Sequence, residues 1–446
     1  MKNILIIGAG RSSSALIKYV LELAKEKNCF VTVADADPQM AEAKVGDHPN
    51  GRSAWLDVLK VNDRKDLISR ADIVVSLLPA HLHLEVAHDC IKMRKHLITA
   101  SYVSQEMYRL GDEARDRELI FMGEMGLDPG IDHMSAKQKI EEIQALGGKI
   151  TAFRSFTGGL IAPESDDNPW HYKFTWNPRN VVLMGQGTAQ YLEGGKLKFL
   201  PYNRLFKEYR SVEVPGLGNN YEVYANRDSL LYKDIYGLKG IPNILRGTFR
   251  PPGFCDAWNA LIKIGLTDGS FPILNSGEIT YHEWLDGYVN GISGSSVKER
   301  IANLIEEDID SPVMQKLDWL GIFRKKKIKL SNATPALILE HLLLEKWKLS
   351  KGDRDMVVMQ HEFEYKLQGK KHLLESTLIL KGDNEMETAM SKLVGLPMGI
   401  FVRLVMEGKI TSTGVNIPVM KEVYEPVLAE LQNFGVVFKE RERILD

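Results

Sequence analysis

The sequence predicts an α/β fold: a doubly wound parallel sheet over roughly the first 125 residues, then an α+β region with a partly exposed sheet and a helical stretch. Three observations predict it. "NILIIGAG" (3–10) is an apolar run that closes in Gly-x-Gly. Further apolar runs, "CFVTVADAD" (29–37), "ADIVVSLLP" (71–79), "HLITASY" (96–102) and "ELIFMGEMGLDPG" (118–130), alternate with segments of helical character, which is the order of βα units. From Lys149 onward, segments such as "KITAFRSFTGGLIAP" and "YRSVEVPGLGNNYEVYANRDS" alternate like strands with one wet face.

The first run reads as a parallel strand buried on both faces. "RSSSALIKYVLELAKEK" follows, with Leu16, Val20 and Leu23 at helical spacing, and the second strand ends at Asp35. Strand, glycine turn, helix, strand, acid is the dinucleotide-binding fingerprint of the Rossmann type. Gly8 allows the tight turn, and Gly10 lets the backbone approach a pyrophosphate. Arg11, Ser12 and Ser13 open the helix whose amide groups would receive it. Ser13 stands where the third glycine of the pattern falls. Asp35 lies about twenty residues past the turn, where a carboxylate accepts hydrogen bonds from the ribose diol and repels a 2′-phosphate. No arginine occurs in "DADPQMAEAK". NAD is therefore the expected cofactor and NADP the open alternative; a bland reading makes Asp35 a solvent-facing turn residue.

Ligands of open α/β sheets lie beyond the carboxyl ends of the strands. The segments after Leu78, after Ala100 and after Gly123 should face one crevice. The last of these runs into "EMGLDPGIDHM" (124–134), which carries more charge than a surface turn needs.

The chain has 446 residues, beyond the size at which one core usually splits into domains. Its 44% hydrophobic and 26% charged residues are ordinary for a globular protein, and a formal charge of -2 gives no field toward nucleic acid or an anionic membrane. The basic run "FRKKKIKL" (323–330) reads as a solvated face. Three cysteines, Cys29, Cys90 and Cys255, with no CxxC pair, argue against a disulfide framework or a metal site and fit a reducing, cytoplasmic setting. The N-terminus lacks the features of a signal peptide. No stretch approaches about 18 uncharged apolar residues, so no membrane span is expected.

Helical stretches are expected at 276–350, a hairpin turn at "QGKK" and a final strand at "GVVFKERE". Arg179, Arg227, Arg246 and Arg250 recur beside glycine-containing turns and suit bidentate contact with carboxylates, which favours a polyanionic small-molecule ligand; singly, each also reads as a surface arginine.

"SYVSQEM", "EMGLDPGIDHMSA", "FTGGLIAPESDDNPWHYKFTWNPRNVVLMGQ", "ANRDSL", "LRGTFRPPGF" and "GLPMGIF…GVNIPVM" resemble saccharopine dehydrogenase of the glutamate-forming type (saccharopine reductase), over nearly the whole chain. The resemblance implies a Rossmann domain of residues 1–125 rejoined by about 395–446. It also implies a substrate and dimerisation domain of 126–394, with a mixed sheet and a small helical subdomain near 276–350. It implies hydride exchange between a nicotinamide and the secondary amine of saccharopine, giving glutamate and 2-aminoadipate 6-semialdehyde, and a homodimer. Ser101 and Tyr102 would touch the substrate, Arg227 would pair with a carboxylate, and Gly247 and Thr248 would add polar contacts. Leu78, Leu127, Asp128 and Gly130 would border the cofactor, with Trp176 near it.

Two positions depart from the family. Thr157 stands where relatives often carry a cysteine, so no thiol acid–base role transfers. Asp35 occupies a neighbourhood where NADP-using relatives have a basic residue. Proton transfer still needs a group, because hydride leaves most readily from a neutral amine. Asp128 is the first candidate, with capping of the next helix or bracing of the loop as its structural alternative, and Tyr102 is the second. Asp132 and His133 are expected to cap and brace the next helix, and His81 and His83 to be structural. A dehydrogenase for another carboxylated secondary amine, such as a carboxylated polyamine, and a non-catalytic dinucleotide-binding sensor are the alternatives.

Overall fold

The N-terminal apolar runs become β1 (Asn3–Ile7), β2 (Phe30–Asp35), β3 (Gly51–Trp55), β4 (Ile73–Ser76), β5 (His96–Thr99) and β6 (Ile120–Met122). With a strand from the C-terminal segment, Gly414–Asn416, they form one sheet in the order Gly414–Asn416, β6, β5, β4, β1, β2, β3. Its pairings are all parallel. The strand order reverses between β1 and β4, which places a ligand crevice beyond Ile7 and Ser76.

The structure, a computed structural model, describes residues 2–445. It divides into a unit up to Lys149 together with Leu378–Lys439, and a unit of Ile150–Thr377 together with the residues from Glu440 on. The final strand, Lys439–Leu445, therefore pairs in the second sheet and does not return with the Rossmann segment as expected. Its exposed alternation of Lys, Glu and Arg suits an edge strand. β3 escaped the sequence reading because "GRSAW" has no apolar run and sits at the sheet edge. β4 and β5 stop at Ser76 and Thr99, short of Leu78 and Tyr102. Beyond β6, Glu124 takes a left-handed backbone (φ 55), which ends the extended run.

Within the first unit, Ala389–Met406 has the length and apolarity of a membrane span, yet 78% of it is buried inside the protein. It lies against the helix Ser14–Lys27 through glycines. A Cβ on Gly395 would stand 2.6 Å from the Leu16 amide nitrogen, and one on Gly399 would stand 2.7 Å from the Tyr19 ring. This close approach makes it a core helix and explains the glycines of "GLPMG".

The second unit holds a mixed sheet of β7 (Lys149–Ile161), β8 (Ala189–Glu193), β9 (Lys196–Leu200), β10 (Arg210–Glu213), β11 (Asn220–Ala225), β12 (Asn243–Arg250), β13 (Asp355–Leu367), β14 (Lys370–Lys381) and the final strand. β12 runs parallel to β7 and antiparallel to β11. Gln368 and Gly369 both have positive φ (50 and 76), the demand of a tight two-residue hairpin, so "QGKK" turns β13 into β14. Helices Tyr281–Asp286, Val297–Ile305, Pro312–Leu320 and Pro335–Lys346 form the helical subdomain. Thr280, Ser296, Ser311 and Thr334 cap them through their hydroxyls, each cap being worth about 1 kcal/mol. Trp170, Tyr172, Phe254, Trp258 and Trp347 pack edge to face or stacked into one buried aromatic cluster. In the basic run, Lys325, Lys326 and Lys327 are exposed.

Candidate active site

In the first unit, Gly8 carries φ 109, and its N–H donates to the Ala34 carbonyl at 2.8 Å. A side chain there would be strained and would press on Leu77 at 3.2 Å, whereas a Cβ on Gly10 would meet nothing within 4 Å among the described residues. The open face at Gly10, ahead of the turn Arg11–Ser13 and the helix Ser14–Lys27, is the cradle a pyrophosphate needs, so these residues fit a dinucleotide. Asp35 is not a loose turn residue. Oδ2 accepts the Ala9 N–H at 2.6 Å and Oδ1 accepts the Asp37 N–H at 2.9 Å, which ties the glycine turn to the end of β2. Ser13 is buried and its hydroxyl donates to the Gly10 carbonyl at 2.9 Å. Lys44, which the sequence did not single out, lies 2.7 Å from Ser13 Oγ and also donates to the Gly10 carbonyl. Burial lowers the Lys44 ammonium to about 8, against the opposing pull of Asp35.

The crest of the sheet assembles the other candidates. Leu78 is half-buried just past β4, and Ser101 and Tyr102 follow β5. Tyr102 donates its hydroxyl hydrogen bond to Asp128 Oδ1 at 3.0 Å, so the two proton-transfer candidates form a pair. The rest of the charged loop is bracing. Glu124 Oε1 accepts the Val103 N–H at 3.0 Å, and Oε2 lies 2.8 Å from His133 Nε2. Asp132 Oδ1 accepts the Gly130 N–H at 2.6 Å. Asp132 and His133 thus hold the start of the helix Ile131–Ala145, and Glu124, unassigned from sequence, is their partner. Leu127 is buried and its carbonyl accepts the Asp132 N–H at 3.1 Å.

Gly130 closes the loop at φ 148, and a Cβ there would lie 2.0 Å from the Gly126 carbonyl oxygen. Gly130→Ala should therefore destabilise the first unit by on the order of 3 kcal/mol, from backbone strain plus overlap. A melting temperature equal to that of the unchanged protein would show that the loop relaxes instead.

In the second unit the registers Thr157↔Thr248 and Thr248↔Tyr224 set three hydroxyl side chains in a row across β7, β12 and β11. Arg246 and Arg250 flank Thr248 on the same face of β12. Arg250 is 2% exposed. Its guanidinium faces the rings of Tyr172, Tyr224 and Phe254, at 5.4, 5.7 and 5.3 Å. It donates to the Phe249 carbonyl at 2.9 Å and approaches Met184 Sδ at 3.0 Å, while Nε has no partner among the described residues. Among the described residues the buried hydroxyls of Thr157 and Thr175 are also unpartnered, and the Tyr172 hydroxyl finds no acceptor, with the Trp176 side chain beside it as a donor. Burial raises the Tyr224 hydroxyl, opposed by Arg250, Thr248 and Arg227.

The four arginines do not act alike. Arg179 pairs with Glu340 at 3.4 Å, and Arg246 lies over the Tyr232 ring at 4.5 Å. Arg227 is exposed within its own unit. It sits in a left-handed turn (φ 52), and its carbonyl accepts the Gln190 N–H at 2.9 Å. Gly247 faces away from the hydroxyl row, since a Cβ would meet Val223 at 2.5 Å; only its backbone can contact a ligand. Trp176 is half-buried at the end of the buried stretch Tyr172–Thr175.

Two family descriptions match this chain: the saccharopine dehydrogenase NADP binding domain over residues 4–122, and the saccharopine dehydrogenase C-terminal domain over residues 126–436. It is 34% identical to the saccharopine dehydrogenase [NADP(+), L-glutamate-forming] of Pyricularia oryzae, covering 99% of each chain. It is 33% identical to the mitochondrial alpha-aminoadipic semialdehyde synthase of Mus musculus, covering 99% of this chain but only 48% of that protein, so the chain spans about half of that relative's length. The structure of the apo histidine-tagged saccharopine dehydrogenase (L-Glu forming) from Saccharomyces cerevisiae superposes with a TM-score of 0.88 at 30% identity, covering 99% of this chain and 100% of that one.

Proposed function

The chain belongs to the saccharopine dehydrogenase family, and on that premise we propose that it interconverts saccharopine with glutamate and 2-aminoadipate 6-semialdehyde. The observation that carries this reading is the Tyr102–Asp128 pair at the crest of the parallel sheet. A bound nicotinamide supplies the hydride acceptor. In the oxidative direction Asp128 takes the proton of the secondary ammonium, so that hydride leaves from a neutral amine. The Tyr102 hydroxyl holds the carboxylate in place. Water then adds to the carbon–nitrogen double bond, and the carbon–nitrogen bond breaks to release the amine of glutamate and the aldehyde. The second unit recognises carboxylates: Nε of Arg250, with the hydroxyls of Thr157 and Tyr172, offers donors that lack acceptors among the described residues. Steady-state turnover of saccharopine by the purified chain tests the reading. A carboxylated polyamine turned over faster than saccharopine would overturn it.

NAD over NADP is part of the same proposal, although the named fungal relative is an NADP(+) enzyme. Each Asp35 oxygen accepts one backbone N–H and keeps a lone pair for a ribose hydroxyl, and its charge repels a 2′-phosphate. The Lys44 ammonium offsets part of that charge. NAD should give the higher kcat/KM, and Asp35→Ala should narrow the difference. Faster turnover with NADP at equal low concentration would reverse the assignment.

A further inference from the structure

Beside the Tyr102–Asp128 pair lies a second polar chain. Ser76, the last residue of β4, is 0% exposed, and its Oγ lies 2.9 Å from His83 Nδ1. His83 opens the helix His83–Met93, is 4% exposed, and places Nε2 at 2.8 Å from Ser101 Oγ. Ser101 stands beyond β5, one residue before Tyr102. The three residues come from the ends of two adjacent parallel strands and the helix between them.

We propose that Ser76, His83 and Ser101 form an oriented relay that makes the Ser101 hydroxyl a hydrogen-bond donor to a ligand carboxylate, with His83 as its positioning residue. The identity of that carboxylate, one of the three of saccharopine, rests on the proposed function; the orientation does not.

The orientation follows from counting hydrogens. Burial, with His81 adding to it, lowers His83 to about 4, so the ring is neutral near pH 7 and has one N–H and one lone pair. If Nδ1 carried the hydrogen, the Ser76 oxygen would accept it. The buried Ser76 O–H would then have no acceptor, since His83 is the one hydrogen-bond partner of Ser76 Oγ among the described residues. A buried donor without an acceptor is the costly arrangement. Ser76 therefore donates to Nδ1, and Nε2–H donates to Ser101 Oγ. The Ser101 hydrogen cannot point back at Nε2 and is turned to the ligand side. A directed donor suits a carboxylate.

The test has two readouts on the full chain. Two-bond 1H–15N correlation spectra of 15N-histidine protein, with His83 assigned by its loss in His83→Gln, should show the neutral Nε2–H tautomer. An Nδ1–H tautomer or a cationic ring overturns the relay. In kinetics, His83→Leu should raise the KM for saccharopine by about 10- to 100-fold, the effect of losing an oriented hydrogen bond to a charged group. The dissociation constant of the dinucleotide should stay unchanged. His83→Gln, whose amide can accept from Ser76 and donate to Ser101, should recover most of the loss. Ser101→Ala combined with His83→Leu should be no worse than either alone. Purely structural packing predicts a lower melting temperature with an unchanged KM, and that result overturns the proposal, as does an additive double variant. If the wild-type chain does not turn over saccharopine, the functional reading fails while the tautomer still decides the relay.

Discussion

An Asp128→Asn enzyme should bind its dinucleotide normally, melt at the wild-type temperature and turn over about 10²–10⁴-fold more slowly, the usual contribution of a positioned acid or base. The expectation rests on the division of labour in the loop 124–134. Glu124, Asp132 and His133 hold its shape through the Val103 N–H, the Gly130 N–H and one another. Asp128 contributes its Oδ1 to the Tyr102 hydroxyl. An asparagine keeps an oxygen for that hydroxyl but cannot take a proton. As pH falls, a carboxylate base becomes protonated and the oxidative rate drops, so the acidic limb of the pH–rate profile should flatten in the variant. If Asp128 only braces the loop, the variant instead melts earlier, with a modest rate loss and an unchanged profile. An unchanged acidic limb would sink the proton-transfer role.

Arg250→Met should lower kcat/KM for saccharopine by about 30- to 1000-fold, the effect of removing a buried charged hydrogen-bond partner. Its melting temperature should hold or rise. A guanidinium cannot shed its proton, and burying its charge without a carboxylate is expensive. Three aromatic faces, one carbonyl and the Met184 sulfur surround Arg250, and among the described residues Nε remains unmatched and no carboxylate pairs with it. Methionine fills a similar volume, and replacing buried charge with packed apolar atoms is often neutral or stabilising. An arginine kept for packing predicts the opposite pattern: lost stability with intact kinetics. Calorimetry and steady-state rates on one variant separate the two. The larger effect is expected here and not at Arg227, which is exposed within its unit.

Much of the fold was legible because its signals are local. Apolar runs closed by glycine or proline, with helical spacing between them, placed five of the seven strands of the parallel sheet; the two missed are β3, polar and at the edge, and the three-residue Gly414–Asn416. The glycine turn was legible for the same reason, as Gly8 needs its positive φ wherever the rest of the chain lies. The loop 124–134 was recognisable as overloaded with charge, but not which of its acids was structural. Glu124 meets His133 nine residues away, Lys44 meets Ser13 from 31 residues away, and Ser101 meets His83 from 18. None of these spacings marks a contact in the sequence.

Local signals sufficed for five strands of the parallel sheet, the dinucleotide cradle and the family, since backbone preference, apolar periodicity and long motifs are properties of neighbouring residues. Only the folded chain decided which charged groups are tied to backbone or side-chain partners and which are buried or exposed. It turned Asp35 onto the Ala9 amide, paired Tyr102 with Asp128, left Arg227 exposed and buried Arg250 among aromatic rings. Desolvation and hydrogen-bond satisfaction depend on every group within a few ångströms, and those groups come from strands and helices far apart in the chain.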